Sequence, residues 1–441
     1  MISYQLNEVC SRIKSGKGIS ASRIKQTGEF PVIGGNGIRG YTSTFNFEGE
    51  CAVVGRQGAA CGNVRYFSGK AYMTEHAVVV QANSNHNTRY LAYLLSIMNL
   101  GRLSAQSAQP GLSVRMLARQ IVELPSLSVQ NRSAKLLGDL DKMISLNQRT
   151  NDYLATLVDL EFSKRFSGSV STTSLKNVLE ISTKSLKPQQ HAGETWEHYS
   201  IPAFDEMHWP IFELADGIKS NKYIVDRSSI LISKLNPSIK RMWIPACLTN
   251  KAVCSTEFIV YKPLEPRHKS FYCAAINAAS FTAFLLEHVT GSTGSRQRAQ
   301  PKATLDYPMP SPCRTAIEAF CDFADPIYRQ IELNGIESQR LGSLRDALLP
   351  KLMSGEIDVS QVEVPMLPNN HLSLRAIGMS NLNDLLVFEV PVLLREKVET
   401  RRKVHSISIR LIDCVLLNPD AFRHPSNTAP SYSSRQAKSG A

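Results

Sequence analysis

The 441-residue chain repeats itself, and a repeat ties both halves to one architecture. Shifted by 187 residues, "PSLSVQNRSAKLLGDLDKMISLNQRTNDYLATLVDLEFSKRFSG" lies over "PCRTAIEAFCDFADPIYRQIELNGIESQRLGSLRDALLPKLMSG" without a gap. Pro125 falls on Pro312, Ile144 on Ile331, Leu146-Asn147 on Leu333-Asn334 and Lys164 on Lys351. Both copies end in Ser-Gly, at Ser167-Gly168 and Ser354-Gly355. Upstream, "SYQLNEV" matches "TTSLKNV" at a shift of 169, and Thr74-Glu75 matches Thr256-Glu257 at 182. A shift that only grows along the chain is what insertions in the second copy produce. Apolar runs keep their order: "CAVVG" with "SILIS", "HAVVVQ" with "FIVYK", then "RYLAYLLSIM" with "FYCAAINAASF". Each half is therefore expected to be an α/β unit followed by one long helix, an α/β (α+β) chain overall.

The long helices are expected at 126–168 and 313–357. Ser128 and Thr315 are their N-cap candidates, and Thr315-x-x-Glu318 reads as a capping box. Apolar residues then recur at three- and four-residue steps. The seam is Leu137, Leu140, Ile144, Leu154 and Val158 in one helix, and Ala324, Ile327, Ile331 and Leu341 in the other. The stripe reads as narrow, as in a coiled coil. Asn147 and Asn334 interrupt it at one register, flanked by Asn151 and Ser338. They either form a polar layer that fixes register or face solvent. About 35 helical residues span roughly 50 Å, against about 34 Å for a turn of DNA.

Gly35-Asn36-Gly37-Ile38-Arg39-Gly40 spells the G-x-G-x-x-G of dinucleotide sites. That fingerprint needs a helix opening after its glycines to hold the pyrophosphate. Here Tyr41 to Phe47 are β-branched and aromatic residues in alternation, so a strand follows and the glycines read as a hairpin turn. No phosphate loop, zinc-protease motif, nucleophile elbow or Pro-Pro pair of an amino-methyltransferase occurs. Glu75-His76 is the nearest approach to a catalytic dyad, but it precedes the apolar run from Ala77 and reads as a strand start. Nine cysteines without C-x-x-C spacing read as reduced thiols, with neither a disulfide frame nor a metal site. The longest apolar runs are far short of a bilayer span. A net charge of +12 favours nucleic acid or an acidic partner.

Taken in succession, "FPVIGGNGIRGYTSTFNFEGECAVVGRQGAACGNVRYFSGKAYMTEHAVVV", "SLKNVLEISTKS", "YSIPAFDE", "DRSSILISKLNPSIKR", "STEFIVYKP", "GSTGSRQR" and the closing "LRDALLPKLMSGEI" resemble the specificity subunit of type I restriction–modification systems, the HsdS family. The resemblance covers residues 1–357. It implies two variable target recognition domains, 1–125 and 169–312, and two conserved helices, 126–168 and 313–357, packed as an antiparallel coiled-coil spacer. Each domain is then expected to read one part of a bipartite asymmetric target in double-stranded DNA. The helices are expected to dock two modification (methyltransferase) subunits, with further restriction (translocase and nuclease) subunits. No catalysis is expected of this chain. S-adenosylmethionine, ATP and Mg²⁺ would belong to those partners, and the complex would be cytoplasmic and not membrane-bound.

Arg, Gln and Asn near glycine-rich turns suit bidentate guanine and adenine contacts. The DNA-binding candidates are therefore Asn36, Arg39, Arg56, Gln57, Asn63 and Arg65 in the first domain, and Lys234, Lys240, Arg241, Arg296 and Arg298 in the second. The alternative is an orphan DNA-binding or scaffold protein of the same fold that recruits another effector. Residues 358–441 depart from the family pattern, with apolar runs and a polar tail expected to be disordered.

Overall fold

The structure is a computed structural model that describes residues 1–104, 111–169, 171–291, 297–357 and 359. Arg296, most of "GSTGSRQR" and, apart from Val359, the extension 358–441 lie outside the described residues. The chain divides into two compact units. Among the described residues, the first takes 1–139 with 348–357 and 359, and the second takes 140–347.

The first unit runs β1 (Ile2–Gln5), β2 (Cys10–Ser15), β3 (Phe30–Gly34), β4 (Gly37–Thr42), β5 (Phe47–Gly55), β6 (Val64–Met73), β7 (Ala77–Ala82), α1 (Thr88–Ile97), α2 (Val114–Ala118), β8 (Ile121–Leu124) and the start of α3 (Leu127–Phe166). Its main sheet has the order β2-β7-β5-β6-β3-β4, and β1 pairs with β8 in a separate ribbon. The continuous apolar runs of β5 and β7 follow from burial on both faces. Ala52, Val54, Val78 and Val80 pack against Tyr90, Leu91, Leu94 and Leu95 of α1. The alternate residues Cys51, Val53, Ala77 and Val79 meet Ile33, Phe47 and Met73 on the opposite face. Each such side chain stabilises the fold by roughly 1.5–3 kcal/mol. Asn87 caps α1 by accepting from Tyr90 N (2.8 Å), and buried Gln130 of α3 accepts from Asn87 N (2.9 Å).

The second unit contains β9 (Thr172–Ser174), β10 (Leu179–Ser182), β11 (Ser185–Leu186), β12 (Thr195–Tyr199), α4 (Ile201–Met207), β13 (Ile211–Leu214), β14 (Lys222–Ile224), β15 (Ile230–Ser233), β16 (Met242–Trp243), β17 (Ala252–Ser255), β18 (Phe258–Pro263), α5 (Lys269–Asn277), α6 (Ala279–Glu287), β19 (Val289–Thr290), β20 (Arg298–Ala299), α7 (Pro301–Thr304), β21 (Pro308–Pro310) and most of α8 (Arg314–Ser354). The repeat is visible in its pairing. The order β10-β18-β15 reproduces β2-β7-β5, antiparallel throughout, and β9·β21 reproduces β1·β8. Two-sided burial recurs as well. Ile230, Ile232, Ile259 and Tyr261 pack with α5 and α6, while Leu231, Phe258 and Val260 meet Tyr199 and Trp243. The units differ beyond that frame. The first adds β6-β3-β4, whereas the second carries a separate sheet ordered β11-β14-β17-β12-β13.

The helices expected at 126–168 and 313–357 run Leu127–Phe166 and Arg314–Ser354. Both start earlier than the expected caps. The Ser126 carbonyl accepts from Gln130 N, and the Cys313 carbonyl from Ile317 N, so these are the N-caps and Ser128 and Thr315 lie inside the first turn. Within the second unit the helices are antiparallel, because partners climb on α3 as they descend on α8. Asp141 meets Arg345 (2.9 Å), Asn147 meets Ser338 (3.1 Å), Asn151 meets the Ile331 carbonyl (3.2 Å), and Arg165 meets the Ala319 carbonyl (3.4 Å).

The polar positions form a layer inside this pair. Asn147 and Asn334 are 0% and 1% exposed. Asn147 donates to Glu337 and Ser338, Asn334 donates to Asn151 Oδ1 (2.6 Å), and Gln330 donates to Asn334 Oδ1 (2.7 Å). The buried face of α3 is wider than the narrow stripe expected. Leu136, Leu137, Leu140, Met143, Leu146, Asn147 and Thr150 are all buried, while Ile144 and Leu154 are half-buried. In its first turns α3 packs on the α/β body of its unit, where Ala134, Leu136 and Leu137 join the α1 core. On α8, Ile331 and Leu341 are half-buried, and Ile327 packs against the core of the second unit.

Candidate nucleic-acid interface

Gly34 and Gly37 are directly paired across the β3–β4 hairpin, leaving Gly35 and Asn36 as a two-residue turn. A φ of +105° at Gly37 favours glycine there. The strand therefore begins inside the G-x-G-x-x-G stretch rather than after it, and no helix opens from it. The turn lies against the end of β5: a Cβ on Gly35 would sit 3.0 Å from the His76 carbonyl oxygen and 3.3 Å from Gly55 Cα. Arg56 follows Gly55, with its N–H donating to the His76 carbonyl (3.0 Å) and its own carbonyl accepting from Leu112 N (2.8 Å). Glu75-His76 is thus the β6–β7 turn. Glu75 Oε1 lies 3.3 Å from His76 Nε2, and the His76 backbone anchors Arg56.

Five of the six first-unit candidates gather around this hairpin. Asn36, Arg39, Asn63 and Arg65 are exposed and Arg56 is half-buried. Asn63 bonds back to Gly55, its carbonyl accepting from Gly55 N (2.8 Å). Gln57, also exposed, forms a backbone bridge with Gly111 beside them. Arg39 lies along Gly34, its Cδ 2.8 Å from where a Cβ would stand, and Arg65 Nη1 is 2.3 Å from the corresponding point on Gly37. Arg39, Arg56 and Arg65 form no ion pair with any described residue. Uncompensated cations grouped around one hairpin create a positive field that attracts a polyanion. Beside them lies an open groove of about 500 Å³ lined by Asn63, Arg65, Ser96 and Asn99. Asn99 was not among the candidates; its signal is an Asn directly after an apolar helix, held at φ +48°.

The second-unit candidates are placed differently. Arg241, expected at the DNA, is 8% exposed and held bidentately by Asp205 of α4, at 2.6 and 2.9 Å. Lys240 lies 3.8 Å from Asp159 of α3. Burial pushes the Lys240 amine down and the Asp159 carboxyl up, each opposed by the partner's charge. Arg298 is paired with Glu257 at 3.0 and 3.3 Å, which holds its guanidinium above its ordinary value. Lys234 is fixed through its backbone, donating to the Glu257 carbonyl and accepting from Ala299 N. Lys234 and Arg298 therefore share one corner, while Lys240 and Arg241 are committed to helices. The pairs are invisible in sequence because each partner comes from a distant segment.

The described cysteines are free thiols, and no three metal-ligating side chains converge among the described residues. No helix among them is long and apolar enough to cross a membrane.

Residues 2–155 match the type I restriction modification DNA specificity domain. That domain makes up the first part of the chain. The chain is 40% identical over 136 residues to the EcoprrI specificity subunit of Escherichia coli, covering 30% of this chain and 34% of that protein. A specificity subunit from Haemophilus influenzae, S.HindORF215P, described as putative, is 27% identical over 143 residues, 32% of this chain and 37% of its own length. The chain thus spans little more than a third of either curated relative. The fold extends further: the crystal structure of a type I S subunit from M. genitalium superposes with a TM-score of 0.50 at 15% identity, covering 80% of this chain and 95% of that one. The family domain takes in the hairpin, the three unpaired arginines and most of α3.

Proposed function

We propose that this chain is the DNA-specificity subunit of a type I restriction–modification complex. The unit built on residues 1–125 reads one part of a bipartite asymmetric target, and the unit built on 169–312 reads the other. The observation that carries this reading is the group of unpaired arginines on the glycine hairpin of a DNA specificity domain, set on a frame that the second unit repeats. Two linked readers gain from effective concentration when their spacing suits both half-sites. Lys and Arg contacts to phosphate supply salt-dependent affinity, and contacts to base edges supply sequence choice.

On this reading α3 and α8 dock two modification subunits, and restriction subunits join the same cytoplasmic complex. The chain itself performs no catalysis. S-adenosylmethionine serves adenine methylation on the modification subunits, and ATP with Mg²⁺ serves the restriction subunits. Methylome sequencing of cells carrying this subunit with its modification partner tests the proposal. The expected result is a bipartite adenine motif whose halves change separately when 1–125 or 169–312 is exchanged. A contiguous motif, or binding of S-adenosylmethionine by the purified chain alone, overturns it.

A further inference from the structure

We propose that the cross-strand pair Gly34–Gly37 is a seat that aims Arg39 and Arg65 as guanine readers, so that the half-site of the first unit contains guanine. The inference rests on the DNA-reading function proposed above and goes beyond it by naming the base. Arg39 and Arg65 come from different strands, β4 and β6, yet both lie over this one glycine pair. The aliphatic part of Arg39 occupies the space a Gly34 side chain would take, with Cδ at 2.8 Å and Cγ at 3.4 Å from the Cβ position. The guanidinium of Arg65 does the same at Gly37, with Nη1 at 2.3 Å and Cζ at 3.3 Å. Neither cation meets a carboxylate among the described residues.

A phosphate contact needs only a positive charge within reach, and a mobile lysine serves it well. A guanine edge presents two acceptors, O6 and N7, and rewards a planar fork already held in orientation. Resting a guanidinium on bare backbone restricts its rotamers without neutralising its charge, which is the condition base reading requires. The second unit shows the contrast. Its Arg241 and Arg298 are equally well held, but by Asp205 and Glu257, so their forks are occupied.

The test uses the full chain assembled with its modification partner, and duplexes carrying the motif defined by methylome sequencing. Each guanine in the half-site that follows residues 1–125 is replaced in turn by 7-deazaguanine, which lacks the N7 acceptor. Affinity of the unsubstituted protein is expected to fall about tenfold at one or two positions. Arg65→Lys and Arg39→Lys each remove that sensitivity at one position and make the methylated motif degenerate there. Gly34→Ala keeps the arginine but displaces it, and the ratio of cognate to non-cognate binding falls by about the same factor. A half-site without guanine on either strand, or 7-deazaguanine without effect, overturns the seat while leaving the DNA-reading function intact. Absence of any bipartite motif overturns both.

Discussion

The sharpest difference between the candidate residues lies in what already holds their charge. Arg241 is buried and paired bidentately with the solvent-exposed carboxylate of Asp205, so truncation removes a charge-assisted pair and the packing of the buried aliphatic stem. Arg241→Ala is expected to destabilise the chain by about 1–3 kcal/mol, read as a lower denaturant midpoint. The slope of log affinity against log salt should stay where it was, because that cation releases no counterions from DNA. His198 offers a second residue-level check. Its Nδ1 lies 2.5 Å from Glu213 Oε1, and burial depresses its pKa despite the hydrogen bond and charge of Glu213, with Lys222 adding to the depression. A histidine depressed in the fold takes up protons more readily when unfolded, so stability is fully present above the unfolded value of about 6.5 and is lost as pH falls from there through the folded value. Thermal unfolding between pH 7.5 and 5 should show this loss, and His198→Gln should flatten it.

At the scale of elements, the helix pair carries its own specificity device. Asn334, which is buried, donates to half-buried Asn151, and Asn151 donates to the Ile331 carbonyl. Asn151→Ala and Asn334→Ala are expected to be non-additive, with a coupling of about 1 kcal/mol in a double-mutant cycle; strict additivity would mean the layer is not a network. Much of this was legible in the sequence, because Asn147 and Asn334 fall at one register of a repeated apolar phase. Whether they faced in or out was not legible, since that depends on which partner covers them. The caps were misread for a related reason. Ser128 and Thr315 satisfy the pattern of a helix start, yet Ser126 and Cys313 supply the first accepting carbonyls. Another close approach is equally silent in sequence: Trp209 sits where a Cβ on Gly335 would be, 2.2 Å from its Cζ3.

For the whole molecule, a net charge of +12 says nothing about where the charge is free to act. Among the candidates, Arg39, Arg56 and Arg65 of the first unit meet no carboxylate among the described residues, whereas in the second Lys240, Arg241 and Arg298 have carboxylate partners. Arg56→Ala should therefore reduce the salt slope of DNA binding by about one, and Arg298→Ala by much less. Equal losses from the two would show that the Glu257 pair opens on DNA. The core strands were readable because two-sided burial turns β5, β7, β15 and β18 into continuous apolar runs, though their pairing order was not. The extra sheet of the second unit was not legible, because β11 is only Ser185–Leu186 and β12, β13 and β14 are short and mix charged with apolar residues.

The shared order β2-β7-β5 and β10-β18-β15 has a consequence for change over time. Strands enclosed on both faces place much of the stability of each unit in this shared interior. What is attached beyond that trio can differ, provided it still covers the trio's second face. Strands β3 and β6 supply that cover in one unit, and β12 and β16 in the other. On the function proposed above, a chain built this way acquires a new half-target by replacing its periphery while its interior stays as it was.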